Sequence, residues 1–272
     1  MITRSTPSET EYPFLDTEAL RDAFLVEDLF VPGKACFAYT DIDRAVVGTV
    51  CPQTRSLTLA APEALRADYF CQRREIGVIN LGGSGAVDVD GTTFDLGNLD
   101  VLYIGRGSRD VEFRGAGAQF YAMSYPAHTE HTTTRMTRDE AAAVAMGSPE
   151  EANERVIHQY IHEGGIRSCQ LVLGFTELKT GSVWNTMPCH THARRSEVYC
   201  YFDVPEDHAV LHLMGTPDET RPLWLHDRQA VLSPSWSIHC GSGTAAYRFV
   251  WAMGGENQRF DDMDAVPIKD LQ

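Results

Sequence analysis

Met187-Pro-Cys-His190-Thr-His192-Ala-Arg-Arg-Ser-Glu197-Val-Tyr-Cys-Tyr-Phe202 is the stretch on which the reading of this 272-residue chain turns. Residues two apart on a strand project to one face, so His190 and His192 point together while Cys189 and Thr191 face the other way. A turn through Ala193 to Ser196 brings Glu197 back beside them. On the returning strand Glu197, Tyr199 and Tyr201 share a face, and Val198, Cys200 and Phe202 share the opposite one. Farther on, Ser233-Pro-Ser-Trp-Ser-Ile-His239-Cys-Gly241 offers a further imidazole, with Pro234 and Gly241 as turn punctuation. Ten histidines in 272 residues make a lone H-x-H cheap, with about 0.4 expected by chance. The carboxylate after a four-residue gap and the later histidine in its Pro/Gly setting make the combination specific. His190, His192, Glu197 and His239 are therefore the expected ligands of one divalent metal ion. Three nitrogens and one oxygen suit Zn, Fe(II), Mn, Co or Ni. A ligand set without thiolates, on strands that can leave a coordination position open, is a catalytic rather than a finger-type arrangement. Cys189 and Cys240 flank ligands but alternate outward, as core thiols.

The same text extends outward from the motif. Cys169 to Leu178, Val183 to Thr186, Val198 to Phe202, Ala209 to Met214, Ala230 to Leu232 and Tyr247 to Met253 read as strands separated by Gly and Pro turns. The first half carries Glu75 to Leu81, Ala86 to Val89, Thr92 to Leu96 and Val101 to Ile104, with a hairpin turn at Asp90-Gly91. Gly82-Gly83-Ser84-Gly85 lacks the Lys-Ser/Thr pair of a phosphate loop and reads as another hairpin turn. A helix is expected over Thr17 to Phe30, capped by Asp16 or Thr17, and an alanine-rich one after the Thr137-Arg138-Asp139-Glu140 capping box, closed by Gly147. The expectation is an all-β protein of two successive β-sandwich barrels with a few short helices. Residues 1–135 form an N-terminal unit without a metal site, 136–166 a connector, and 167–272 the metal-binding unit. No histidine precedes Ala127, so one metal per chain is expected. His128, His131, His158, His162, His208, His212 and His226 have no matching carboxylate and read as ordinary structural or surface residues.

Composition narrows the function classes. A formal net charge of −15 opposes binding to phosphate backbones, so nucleic acid is not an expected partner, and an anionic substrate needs a local cation. No run approaches the ~18 apolar residues of a membrane span, and Met1 to Tyr12 lacks a signal-peptide core. Seven cysteines with no C-x-x-C pair fit free thiols in a reducing compartment. A soluble, cytoplasmic protein is expected.

The ligand pattern resembles the two signature motifs of the cupin barrel. The longer wording resembles the 5-keto-4-deoxyuronate isomerase family, the 4-deoxy-L-threo-5-hexosulose-uronate ketol-isomerases. The phrases that carry it are Trp184-Asn-Thr-Met-Pro-Cys-His-Thr-His192, Ser233-Pro-Ser-Trp-Ser-Ile-His239, Gly255-Glu-Asn-Gln258 and Phe260-Asp-Asp-Met-Asp264. In the first half they are Phe24-Leu-Val-Glu27, Arg73-Arg-Glu-Ile-Gly-Val-Ile-Asn80 and Pro126-Ala-His-Thr129. The likeness weakens between Gly147 and Arg167, and positions 193, 196 and 200 depart from the family's wording. The resemblance implies two cupin domains, a cytoplasmic zinc enzyme of pectin degradation with one Zn2+ per chain, and a homo-oligomer, a hexamer. It implies conversion of 5-dehydro-4-deoxy-D-glucuronate to 3-deoxy-D-glycero-2,5-hexodiulosonate, with His190, His192, Glu197 and His239 as the zinc ligands.

Such an aldose–ketose conversion moves hydrogen between neighbouring carbons, and a metal that polarises the carbonyl serves it. Glu197, Tyr199, Tyr201 and Glu256 are the candidate catalytic groups, with Glu197 a poor base once metal-bound. A proton route through an enediolate is favoured over hydride transfer. The substrate carboxylate calls for an arginine, with Arg167, Arg194, Arg195 and Arg248 as candidates. Rival readings are another metal-dependent cupin, such as a dioxygenase or decarboxylase, a phosphosugar isomerase, for which no phosphate cradle is found, and a non-catalytic sugar-binding protein.

Overall fold

Strands dominate the computed structural model, which describes residues 1–259 and 261–272. Phe260, part of the Phe260–Asp264 phrase, lies outside the described residues. By its contacts the chain falls into two compact units, one of Met1–Arg4, Asp28–Ala141 and Tyr160–Leu173, the other of Ser5–Glu27, Ala142–Gln159 and Gly174–Gln272. Ser5–Glu27 thus belong with the second unit although in sequence they fall between two segments of the first. All seven cysteines are free thiols.

In the first unit a seven-stranded sheet runs in the order Ile2–Arg4, Ala35–Thr40, Val46–Val50, Phe120–Pro126, Arg74–Asn80, Val101–Ile104, Thr134–Met136. A four-stranded sheet runs Leu57–Thr58, Val111–Arg114, Gly85–Val89, Thr92–Leu96. Their inward residues form one core, with Val78, Leu102 and Phe120 from the larger sheet packed with Val87, Leu96 and Phe113 from the smaller. This is the sandwich that the alternating pattern implies. At the turn between Val89 and Thr92, Asp90 and Gly91 both take positive φ, 48° and 82°, as a two-residue hairpin turn of the primed type demands. The glycine cluster behaves differently from the hairpin turn expected of it. The strand before it, Arg74–Asn80, and the strand after it, Gly85–Val89, lie in different sheets, so residues 82–85 carry the chain across the sandwich. Small residues are needed because the loop at 115–118 presses close: a Cβ on Gly82 would stand 2.4 Å from the Gly117 carbonyl oxygen.

The second unit repeats the plan. Its seven-stranded sheet runs Ala142–Met146, Arg155–Ile161, Val172–Leu178, Arg248–Gly255, Arg195–Phe202, Gln229–Ser233, Leu25–Val26, and its four-stranded sheet runs Trp184–Asn185, Cys240–Gly243, Val210–Thr216, Glu219–Leu225. Side chains of the two sheets meet inside, the Tyr201 hydroxyl and His212 Nδ1 being 2.8 Å apart, and Asn185 Nδ2 donates to the hydroxyl of Tyr247, the residue before Arg248–Gly255, at 2.6 Å.

Two expected helices are corrected here. The N-terminal one spans only Thr17–Phe24, capped by Asp16, whose carboxylate accepts the Ala19 N–H at 2.8 Å. Leu25 and Val26 leave it to pair with Val231 and Ala230 as an outer strand, where both are buried. The alanine-rich helix does not form. The Thr137 N–H does bond the Glu140 carboxylate at 2.8 Å, but it caps a single turn, Arg138–Glu140. Ala142–Met146 is then a strand antiparallel to Arg155–Ile161. Five backbone units bonded along a neighbouring strand outweigh the small helix preference of alanine.

Candidate metal centre

The motif folds into two short elements and a long strand. His190–Thr191 pair with Asp264–Ala265, Ala193 and Arg194 make the turn, and Arg195–Phe202 runs through the middle of the seven-stranded sheet. His239 stands immediately before the strand Cys240–Gly243. These pieces bring four side chains together, with their ligand atoms all within 4.8 Å of one another. His190 Nε2 lies 3.1 Å from His192 Nε2 and 3.1 Å from His239 Nε2, while Glu197 Oε2 lies 3.2 Å from His192 Nε2 and 2.8 Å from His239 Nε2.

This donor set fits a metal ion. Donors held ~2.0–2.2 Å from one centre stand about 3 Å apart along their polyhedron's edges. Three imidazole nitrogens converging at that spacing cannot satisfy one another by hydrogen bonds alone. Two of the three remote nitrogens are occupied in the way ligation requires: His192 Nδ1 is 2.7 Å from the Asp262 carbonyl oxygen and His239 Nδ1 is 3.3 Å from that of Ser237. An Nδ1–H donated to a backbone carbonyl leaves the Nε2 lone pair free for a metal. Burial, then the neighbouring His239, pushes the His190 imidazole down to about 2, so it stays neutral. Burial would raise the Glu197 carboxyl, but His239 and His192 outweigh it and hold the group below its ordinary range, as a carboxylate. Cys189 and Cys240 pack with Ile238 and Val266 in a small apolar cluster and line no part of the cavity beside the ligands.

That cavity is about 240 Å³, below the ~300–1,000 Å³ of sites for drug-sized molecules, and so suits a small ligand. The seven-stranded sheet supplies Arg155, Ile157, Thr176, Trp251, Glu197 and Tyr199 to the cavity lining, and the short segment before Arg195–Phe202 adds His190 and His192. The Trp251 indole donates to the Thr176 hydroxyl at 3.1 Å, which fixes the ring. Tyr199 and Thr186 share a hydroxyl–hydroxyl bond of 2.9 Å, and burial, with Glu197 adding to it, holds the Tyr199 phenol protonated.

The other sequence candidates are dispersed. Tyr201 is fully buried and bonded to His212, outside the cavity lining. Glu256 is exposed and faces Arg194 across 3.8 Å, with both side chains mostly in solvent. Arg248 starts a strand on which Phe249, Trp251 and Met253 line the cavity, so alternation turns it outward to Glu177 and Asp203, each at 3.0 Å. Arg195 is buried behind the ligands, donating to the Asp262 carbonyl at 3.0 Å and lying 3.3 Å from His192 Nδ1. Arg167 is exposed and belongs to the first unit. The arginine that does line the cavity, Arg155, was missed. The signal was present in the alternation of Arg155-Val-Ile157, but nothing local says which sheet face it joins.

Close packing behind the cavity yields a test. A Cβ on Gly174 would stand 2.3 Å from both the His158 carbonyl oxygen and the Trp251 ring. Gly174→Ala is expected to cost about 1–3 kcal/mol of stability and to push Trp251 into the cavity, raising KM. Thermal unfolding and steady-state kinetics check this, and an unchanged Tm and KM would show that the ring yields freely.

Fold and ligand set together define a cupin-type protein with a candidate metal centre in one of its sandwiches. The chain belongs to the KduI/IolB family, which it matches over residues 29–268. It is 52% identical over 271 residues to a 4-deoxy-L-threo-5-hexosulose-uronate ketol-isomerase of Opitutus terrae, covering 98% of each chain. A protein of the same name from Lachnoclostridium phytofermentans is 49% identical across 100% of both chains. Among solved structures, an IolB-like protein of Salmonella typhimurium superposes with a TM-score of 0.71 at 13% identity, covering 89% of this chain and 96% of that one. Oxalate decarboxylase of Bacillus subtilis, a protein with Mn(II) centres, gives 0.56 at 11% identity, covering 81% and 70%. These two likenesses concern the fold. The full-length relatives establish the activity class, an aldose–ketose isomerase.

Proposed function

We propose that the chain binds one zinc ion through His190, His192, Glu197 and His239 and converts 5-dehydro-4-deoxy-D-glucuronate to 3-deoxy-D-glycero-2,5-hexodiulosonate in pectin degradation. The observation that carries this reading is three imidazoles and a carboxylate whose ligand atoms lie within 4.8 Å of one another, with His190, His192 and Glu197 bordering a small cavity. The names of the full-length relatives supply the substrate. A divalent ion held there contributes Lewis-acid polarisation of the aldehyde and its neighbouring hydroxyl.

The chain's own groups do the rest. Ile157, Trp251 and Met253 exclude water, which strengthens every polar contact made inside. Tyr199, kept protonated by burial, is placed to give a proton to, or hold one at, the substrate oxygens. It is the one catalytic candidate, besides the ligand Glu197, that lines the cavity. Glu256 and Tyr201 then serve the turn and the barrel interior. The unit built on Asp28–Ala141 supplies scaffold and carries none of the four proposed ligands. The family resemblance further supports a cytoplasmic homo-oligomer, a hexamer; among the described residues no helix is long and apolar enough to cross a membrane.

Incubating the metal-loaded protein with the ketouronate in D2O and following products by NMR tests both substrate and route. Conversion, with deuterium on the former aldehyde carbon in at least part of the product, is expected for the proton route. Unlabelled product at early and late times points to hydride transfer or a shielded base. Binding without turnover, or oxygen consumption, would replace the isomerase reading by a binding protein or a dioxygenase.

A further inference from the structure

A chain of net charge −15 repels an anionic sugar acid unless a cation stands where the acid group must sit. Arg155 is the one lysine or arginine among the described residues lining the cavity that holds the metal ligands. Its guanidinium makes a single hydrogen bond among them, from Nη1 to the Asn153 carbonyl oxygen at 2.8 Å. No carboxylate of the described residues pairs with it, whereas Arg248 is taken by Glu177 and Asp203, and Arg194 faces Glu256. Of the five N–H donors of a guanidinium, most are left for a ligand.

The setting makes that spare capacity costly without a ligand. Arg155 is partly buried beside Met146, Ile157 and Trp251. Burial lowers its pKa below the ordinary arginine range, the mark of a cation short of solvent, though the group stays charged. A carboxylate docked there restores the lost hydration with charge-assisted, two-pronged hydrogen bonds in a poorly screened cavity. Arg155 borders the same cavity of about 240 Å³ as His190, His192 and Glu197, a space on the scale of one six-carbon acid.

We propose that Arg155 binds the substrate's carboxylate and makes the site select sugar acids over their neutral counterparts, an assignment that rests on the isomerase reading above. Arg155 is a specificity residue here, acting on the acid group and not on the carbons that exchange hydrogen.

The test compares the ketouronate with its methyl ester, which differs in having no charge on the acid group, in the metal-loaded wild type and in Arg155→Met and Arg155→Lys. The wild type is expected to favour the acid by about a hundredfold or more in kcat/KM, the range for a desolvated charge pair. Arg155→Met should lose that preference, chiefly by losing the acid, while its metal content and its turnover of the ester stay near wild type. Arg155→Lys, with the charge but not the fork, should keep part of it. If the wild type handles acid and ester alike, or Arg155→Met retains the preference, the assignment is overturned while isomerase activity stands. If the wild type turns over neither compound, the isomerase reading fails, and calorimetric binding of D-galacturonate against D-galactose decides for Arg155. Acid-selective binding lost in Arg155→Met supports its role, and equal binding overturns it.

Discussion

Replacing His239 by alanine is expected to strip the protein of its metal and to lower kcat/KM by about a thousandfold or more. The ligand atom of His239 stands 2.8 Å from Glu197 and 3.1 Å from His190, so its removal opens the donor set on two edges at once. It also takes away the larger of the imidazole influences that keep the buried Glu197 ionised. Losing a Lewis acid worth several kcal/mol of charge stabilisation corresponds to roughly three decades of rate or more. Elemental analysis should fall from about one metal per chain to nearly none. Arg194→Ala, on the exposed side of the same turn, should leave metal and rate unchanged. A His239→Ala protein that keeps its full metal content would remove His239 from the ligand set.

Tyr199→Phe is expected to lower kcat by about 10²- to 10⁴-fold, the usual contribution of a positioned acid or base, with metal content intact and KM little changed. The substitution is nearly isosteric. The ring stays packed on Phe249 at 4.6 Å and edge-on to His239 at 5.5 Å, and only the hydroxyl bonded to Thr186 is lost. Tyr201→Phe offers the contrast, because its hydroxyl bonds His212 inside the sandwich. Leaving that imidazole without its partner should cost about 1–3 kcal/mol of stability and spare kcat. Comparing kcat, bound metal and Tm for the two variants separates the roles. A Tyr199→Phe enzyme within a few-fold of wild type would make the phenol a packing residue and return the proton steps to other groups.

Much of the fold was legible because the side-chain period of a strand is local. The hairpin around Asp90-Gly91 and the inward set Glu197, Tyr199 and Tyr201 follow from alternation and turn chemistry alone. The errors fall where a segment's conformation is decided by a neighbour far along the chain. Ala142–Met146 has the composition of a helix, yet it is a strand because Arg155–Ile161 bonds to it, and Leu25–Val26 leave their helix because Gln229–Ser233 needs an outer neighbour. The glycines at 82–85 read as a hairpin until the loop at 115–118 is seen pressing on them.

The same division runs through the site. His190, His192, Glu197 and His239 could be named from the sequence because their residue types and spacing state the chemistry, and the structure brings those four together. Arg155 could not, because its value lies in what surrounds it. The sheet order places Arg155–Ile161 and Val172–Leu178 beside Arg248–Gly255 and Arg195–Phe202, so one continuous face carries Arg155, Trp251, Glu197 and Tyr199 to a single cavity. By itself the sequence determined an all-β chain and the four members of the candidate metal centre, since strand periodicity and ligand chemistry are properties of short segments. Only the tertiary structure decided which cation shares a cavity with those residues and which arginines are spent on Glu177, Asp203 and Glu256, because ion pairing and burial depend on residues far apart in the chain.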